Sequence, residues 1–511
     1  MSVARWDVFE VTLRGPNAGN PFMDVDLSAD FTQDGKSFHV TGFYDGEGVY
    51  RIRFMPGSEG TWQYQTHSNR KELDGRPGSF ECTPATAESH GPVGVHNTFH
   101  LAYADGTPYL QIGTTCYAWT HQSRELQEQT LESLRSSPFN KIRMCIFPKK
   151  YAYNCAEPSL YPFEGTPPTK WDFTRFNPKF FQHQEKRIGE LRDAGIEADV
   201  ILFHPYDEGH WGFDRMDAET DDRYVRYVVA RLSAYRNVWW SLANEFDFMK
   251  NKKMADWDRI FAEIQQCDPY GHLRSIHNGK KIYDHNKPWV THASIQNGSA
   301  VEDFGRAVLY RDVYCKPVVF DEVKYEGNLP QRWGDLSPEE MVHRFWQGTI
   351  AGTYVGHGET YLDPHDVIWW ARGGKLRGKS PQRIAFLKHV LDAAPHGLEP
   401  IDKWQDVRTV GRPGEYYLIY FGREKPKEWS FALPREGLAA GMKFAVEILD
   451  TWNMTITGVE DTFKIITDTT YRYSAEGLKK ISLPGNPFIA LRVRRIEHDV
   501  PPPQPVPETC D

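Results

Sequence analysis

A chain of 511 residues exceeds a single ordinary core and has room for two or three domains. Its formal charge of −9 lacks a basic footprint, and no stretch reaches the roughly 18 apolar residues of a membrane span, so neither a nucleic-acid nor a membrane partner is expected. The seven cysteines are odd in number and contain no Cys-x-x-Cys pair, which speaks against a disulfide framework and a zinc knot. The opening Met1-Ser2-Val3-Ala4-Arg5-Trp6 has neither the basic nor the apolar segment of a signal peptide. A cytoplasmic protein is therefore expected, or a secreted or periplasmic one if a leader has been removed.

Residues 1–90 read as a β-sandwich. Val8–Leu13, Ser37–Phe43, Tyr50–Phe54 and Thr61–Gln65 are short alternating runs with turn signals such as Pro56-Gly57-Ser58 between them. From 91 to 395 strands alternate with amphipathic helices, a texture that implies a parallel sheet. Asn177-Pro178 opens one helix and Gly195 closes it, Ser337-Pro338-Glu339-Glu340 opens another, and Ser380-Pro381 starts a third. Eight apolar runs separate the helical stretches: Tyr109–Ile112, Ile142–Phe147, Ala198–Phe203, Val238–Ala243, Leu273–Ile276, Trp289–Ile295, Pro317–Phe320 and Gly352–Val355. They fit an α/β fold of the (β/α)8 TIM-barrel type, whereas a doubly wound sheet would want a glycine-rich turn that Gly113-Thr114-Thr115-Cys116 does not supply. Residues 396–498 return to strand texture and predict a second, C-terminal β-sandwich domain, and 499–511 form a proline-rich tail.

Barrel active sites lie where strands end, and two of the runs end in a carboxylate. Val238–Ala243 leads into Asn244-Glu245 at strand four, and Pro317–Phe320 into Asp321-Glu322 at strand seven. Those strands face one another across the mouth of a closed eight-stranded barrel. Facing carboxyls about 5–5.5 Å apart are what retaining glycoside hydrolysis needs: one attacks the anomeric carbon, and the other protonates the leaving oxygen and later activates water. A single strand-end Glu more often caps a helix or pairs with a cation; two, at strands four and seven, point to catalysis. Alternation places only one of Asp321 and Glu322 in the mouth, and periodicity alone does not say which.

The pattern resembles the clan A glycoside hydrolases, in which Asn-Glu ends strand four and a Glu nucleophile ends strand seven. The whole chain is similar to bacterial glycanases with an N-terminal sandwich, an apiosidase-like barrel and a C-terminal sandwich. Asp268-Pro269-Tyr270-Gly271-His272, Tyr325-Glu326-Gly327 and Trp369-Trp370-Ala371-Arg372-Gly373-Gly374 carry that likeness. The resemblance implies Glu245 as acid/base, Glu322 rather than Asp321 as nucleophile, and Asn244 on the substrate's 2-hydroxyl. It also implies Arg143, within the second run, as the residue that holds the nucleophile ionised; a structural ion pair is the other reading. One departure stands out. Clan A members often place Trp at the end of strand eight, where this chain has Gly356-His357-Gly358-Glu359.

His204 at the end of strand three and His292 in strand six are candidate sugar contacts, with a satisfied core histidine as the alternative for each. Trp119, Tyr325, Trp369 and Trp370 are candidate substrate-binding aromatics, as are Trp211 and Phe246, while Trp239 and Trp240 are expected in the core. His204-Pro205-Tyr206-Asp207-Glu208-Gly209-His210 is dense in ligand-type residues but loop-like, so no metal and no cofactor are expected. Lys149-Lys150 reads as a solvated loop. The expectation is a retaining glycosidase acting on an oligosaccharide or polysaccharide, able to form a homo-oligomer. A sugar-binding protein on an inactive barrel, or a metal-dependent hydrolase or lyase, is the alternative.

Overall fold

The computed structural model of the protein describes residues 1–296, 303–363, 365, 367–401, 408–467 and 472–496. The tail expected at 499–511 lies outside the described residues. At the N-terminus, period-two alternation turns one face of each strand inward, as in Leu27–Gln33. A five-stranded sheet containing that strand faces a three-stranded sheet made of Phe9–Arg14, Val49–Phe54 and Phe43–Tyr44. Inward aromatics join the two layers, with Phe31 stacked on Phe54 at 4.2 Å and Phe9 on Phe80 at 3.8 Å.

The central domain is a parallel barrel. Its strands are β1 (Gly113–Thr115), β2 (Lys141–Cys145), β3 (Glu197–Phe203), β4 (Val238–Ala243), β5 (Arg274–Ser275), β6 (Ala293–Gln296), β7 (Val318–Glu322) and β8 (Tyr354–His357). They pair in the order 5-4-3-2-1-8-7-6. The remaining seam, between β5 and β6, is bridged by Thr291 N donating to Arg274 O (3.0 Å) and Gln296 N donating to Asn278 Oδ1 (3.1 Å). Among the described residues, seven helices surround the strands: α1 (Arg124–Arg135), α2 (Pro178–Asp193), α3 (Ala218–Leu232), α4 (Met254–Cys267), α5 (Phe304–Tyr314), α6 (Pro338–Ile350) and α7 (Ser380–Asp392). Among the described residues, the β5–β6 connection carries no helix.

The expected helix starts are built as their residues dictate. Asn177 Oδ1 accepts from Lys179 N ahead of α2, and Ser337 Oγ accepts from Glu340 N ahead of α6. The first amides of α7 are capped at long range, since Lys379 N and Ser380 N donate to the buried Glu326 carboxylate. The first strand departs from expectation. Tyr109–Ile112 is irregular, and pairing starts only at Gly113, because Asn140 uses its side chain to satisfy Leu110 O and Ile112 N.

Beyond the barrel a nine-stranded antiparallel sheet, from Glu399–Ile401 to Ile489–Arg495, folds over on itself around one apolar cluster. Within that cluster Phe431 stacks on Phe463 at 4.7 Å. Its outer side rests on α6, where His343 Nδ1 meets the Tyr420 hydroxyl at 2.9 Å.

The N-terminal layers are fastened to the barrel by buried charge. Arg231 of α3 reaches Asp45 (2.7 Å) and, through Nε, Glu185 of α2, while Arg53 Nη2 reaches Glu185 at 3.0 Å. Removing one partner of such a network strands the others away from water, at about 3–5 kcal/mol. Arg231→Met is therefore expected to lower unfolding stability by about that amount. Urea denaturation checks it, and a midpoint within error of the wild type would contradict it.

Candidate active site

The floor of the barrel mouth is a column of buried charge. Lys141 Nζ bridges Asp199 (2.9 Å) and Asp321 (2.8 Å), and all three side chains are sealed from solvent. One layer higher in β2, Arg143 approaches the same two carboxylates with Nε, at 3.7 and 3.9 Å. Its other nitrogens reach upward, Nη1 to Glu322 Oε1 (3.5 Å) and Nη2 to Asn244 Oδ1 (3.1 Å). Two residues apart on one strand, Lys141 and Arg143 share the inward face.

Alternation fails at the end of β7. The β6–β7 register slips between Ser294 and Gln296, so that Glu322 pairs with Gln296. This irregularity turns two consecutive carboxylates toward the same guanidinium, Asp321 below and Glu322 above. Asp321 is enclosed by Lys141 and the Ser294 hydroxyl. Glu322 accepts the one proton of the Tyr117 hydroxyl, whose oxygen also lies 3.1 Å from Asn244 Oδ1, and the Tyr325 hydroxyl faces it.

Burial alone would raise the Glu322 carboxyl. His277 when protonated, Arg143 and the two phenols outweigh burial and hold it below the ordinary glutamate range. His277 Nε2 lies 3.6 Å from Glu322 and has no hydrogen-bond partner. Its other nitrogen, Nδ1, is 2.9 Å from Ser294 Oγ. Ser294 spends its single proton on Asp321, so it accepts from His277 Nδ1–H, and Nε2 is left as a bare acceptor. Burial depresses His277 to about 4, which keeps it neutral near pH 7.

Glu245 stands opposite, where β4 ends. Its backbone is left-handed, with φ 50 and ψ 53, at the start of a short turn, Phe246–Phe248. For a residue with a Cβ that conformation costs about 1–2 kcal/mol, and it re-aims the side chain. Burial, then the Glu322 charge, pushes its carboxyl up to about 8, against a smaller opposing pull from Lys149; Gln296 lies beside it. Two facing carboxyls thus hold different protonation states near neutral pH.

The aromatic wall that β8 does not provide comes from the short helix Trp369–Arg372. Tyr117 N and Ala118 N donate to Trp370 O and Ala371 O, both at 3.0 Å, and dock that helix beside β1. Trp370 then packs among Tyr117, Tyr151, Tyr153, Tyr325 and Trp333, with ring centres 4.9–5.9 Å away.

Asn244, Arg143, Tyr325 and Trp370 therefore gather around Glu245 and Glu322, whereas the six other candidates are buried or engaged elsewhere. Trp119 is wholly buried in the barrel core. Trp369 points down to Thr114, donating from Nε1 at 2.9 Å. His204 has both nitrogens engaged, with Phe147 O and Tyr206 N. His292 precedes β6 at the end opposite Glu322 and packs edge-on against Trp239. Trp211 and Phe246 are buried, Trp211 donating to Glu157.

Sequence reasoning passed over Tyr117, ranked His277 after strand five below His204 and His292, and read Lys149 as solvated. Tyr117 carried a usable signal, being two residues past β1. Lys149 is buried rather than solvated, because aromatic side chains from four loops enclose it.

The raised Glu245 carboxyl has a sign that stability measures. A carboxyl whose folded value (about 8) exceeds its unfolded one (4.5) binds its proton more tightly when folded, so the stability it contributes is lost as pH rises between the two. Glu245→Gln, isosteric with the protonated form, escapes that loss. Its melting temperature is expected to gain on the wild type progressively from pH 4.5 to about 8. Calorimetry across that range tests this, and a gap independent of pH would place the raised group elsewhere.

Comparison with known proteins follows the same outline. Residues 95–454 match the model of the apiosidase-like catalytic domain, and residues 2–69 match a domain of unknown function, DUF5060. No curated protein matches. A crystal structure of a candidate glycoside hydrolase from Bacteroides vulgatus is 44% identical, with a TM-score of 0.95 over 97% of this chain and 100% of its own. A glycoside hydrolase family 5 structure from the same organism shares 16% identity and a TM-score of 0.59, over 79% of this chain and 94% of its own. At that identity the likeness is one of fold.

Proposed function

This chain belongs to the family of the apiosidase-like catalytic domain, with a glycoside-hydrolase fold, and on that premise we propose that it cleaves O-glycosidic bonds of an oligosaccharide or polysaccharide with net retention. Glu322 is the nucleophile and Glu245 the acid/base, and no cofactor takes part. The observation that carries this reading is the unequal setting of the two carboxyls. Arg143 and the Tyr117 hydroxyl hold Glu322 as an anion, and burial beside that anion keeps Glu245 protonated.

In the first step Glu322 attacks the anomeric carbon, the glycosidic C–O bond breaks, and the departing oxygen takes the Glu245 proton. In the second, water attacks that carbon and gives a proton to the Glu245 carboxylate, and the electron pair of the ester bond returns to Glu322. Asn244 suits a positioning role: Arg143 Nη2 donates to its Oδ1, which leaves its Nδ2 to donate to a sugar hydroxyl. Tyr325 and Trp370 offer the aromatic side of the sugar site.

Azide distinguishes the two roles on aryl glycosides. In Glu322→Ala it replaces the nucleophile, so a single displacement yields a glycosyl azide of inverted configuration. In Glu245→Ala it intercepts the glycosyl-enzyme, and the product keeps its configuration. Without azide, Glu245→Ala is expected to lose about 10²–10⁴-fold in kcat/KM on poor leaving groups, and far less on activated ones. Wild-type kcat/KM should fall above about pH 8, as Glu245 loses its proton. Full activity in Glu322→Ala would defeat the assignment.

A further inference from the structure

Lys149 lies four residues past the end of β2 and is only 1% exposed. Its ammonium sits over the rings of Tyr117 (3.7 Å), Tyr206 (4.1 Å), Tyr151 (4.6 Å) and Trp370 (5.4 Å). Among the described residues it has no carboxylate within ion-pair distance, unlike Lys141, Arg143 and Lys252, which are buried with acids at 4 Å or less. A cation buried without a counter-ion in contact is costly: burial pulls the Lys149 ammonium below its ordinary range, and the aromatic faces and the more distant Glu245 and Glu322 charges oppose that. The same Tyr117 ring whose face carries the ammonium donates its hydroxyl to Glu322.

The charges of the reaction give that cation a use. In the resting site the negative charge is on Glu322, where Arg143, Tyr117, Tyr325 and His277 surround it. Once Glu322 is esterified and Glu245 has given up its proton, the charge has crossed the cleft. On the Glu245 side stand Gln296, the like-charged Asp247 and, as the cation that acts on it most strongly among the described residues, Lys149. Lys149 in turn faces Cys145, Glu245, Glu322 and Arg143, with His204 behind it.

We propose that Lys149 is a positioning residue for the second half-reaction, its caged ammonium keeping Glu245 ionised in the glycosyl-enzyme so that the carboxylate is free to take a proton from the attacking water. This rests on the retaining reading given above. In that step the water oxygen bonds to the anomeric carbon, the bond to Glu322 breaks, and one proton passes from water to Glu245. Binding and the first step use Glu245 in its neutral form and depend less on the cation.

The test compares Lys149→Met and Lys149→Arg in the full chain. Carbon-13 NMR of labelled glutamate carboxyls, with Glu245→Gln to assign the signal, is expected to show Glu245 titrating higher in Lys149→Met and near its wild-type value in Lys149→Arg. This readout needs no turnover. On an aryl glycoside with a good leaving group, Lys149→Met should lose about tenfold or more in kcat while kcat/KM stays near wild type, with a burst of phenol. Azide, which needs no general base, should restore kcat. An unmoved Glu245 titration would overturn the proposal, as would kcat and kcat/KM falling together without a burst. An inverting wild type would instead overturn the retaining reading, and it would show before any Lys149 variant is made.

Discussion

Arg143 is the interaction on which the site depends. One planar guanidinium, wholly enclosed, meets Asp199 and Asp321 below and Asn244 and Glu322 above. Such a group is tolerable inside a barrel only if acids surround it, and each acid is tolerable only because of it and Lys141. The consequence is geometric. β2, β3, β4 and β7 are tied at one level, and the side chains that end β4 and β7 are held where a substrate would reach them. Lysine could not substitute, since a compact ammonium cannot address two layers at once.

Above that level control passes from charge to rings. Tyr117, Tyr151, Tyr325, Trp333 and Trp370 come from four connections, Tyr325 and Trp333 sharing the one after β7, yet pack edge to face or tilted as one wall. Neighbouring backbone bonds from Tyr117 and Ala118 fix Trp370 in that wall. Where clan A members often carry an aromatic at the end of strand eight, this chain has Trp370 on a later helix, and the segment that follows that helix is pinned by Glu359, whose carboxylate accepts from Arg377 N and Gly378 N. Loops carry the variable part of the site and the barrel the invariant geometry.

The parts legible in the sequence were those governed by local rules. Strand texture separated the barrel from its flanks, caps at Asn177 and Ser337 marked helix starts, and the Asn244-Glu245 and Asp321-Glu322 run ends stood out by position. What escaped depends on contacts between residues far apart in the chain. The slip opposite Ile295 that turns both Asp321 and Glu322 inward leaves no trace in alternation. Lys149 reads as half of a charged pair, yet Lys150 meets Glu157 at the surface while Lys149 is swallowed by rings from other loops. His204 and His292 have the right residue type near strand ends, but backbone groups engage the first and the second lies at the wrong end of its strand.

On the proposed reading, the left-handed backbone at Glu245 sets folding against chemistry at one position. Glycine, asparagine or aspartate would sit there with less strain, and any of them would also remove a carboxyl that burial disfavours or replace it with a shorter group. A lineage released from the need to turn over substrate would gain stability by drifting to Gly or Asn at this site, while the Arg143 column and the aromatic wall persisted. On that reading, inactive descendants of this fold would keep the cleft intact, and the first mark of their retirement would be a small residue after Asn244.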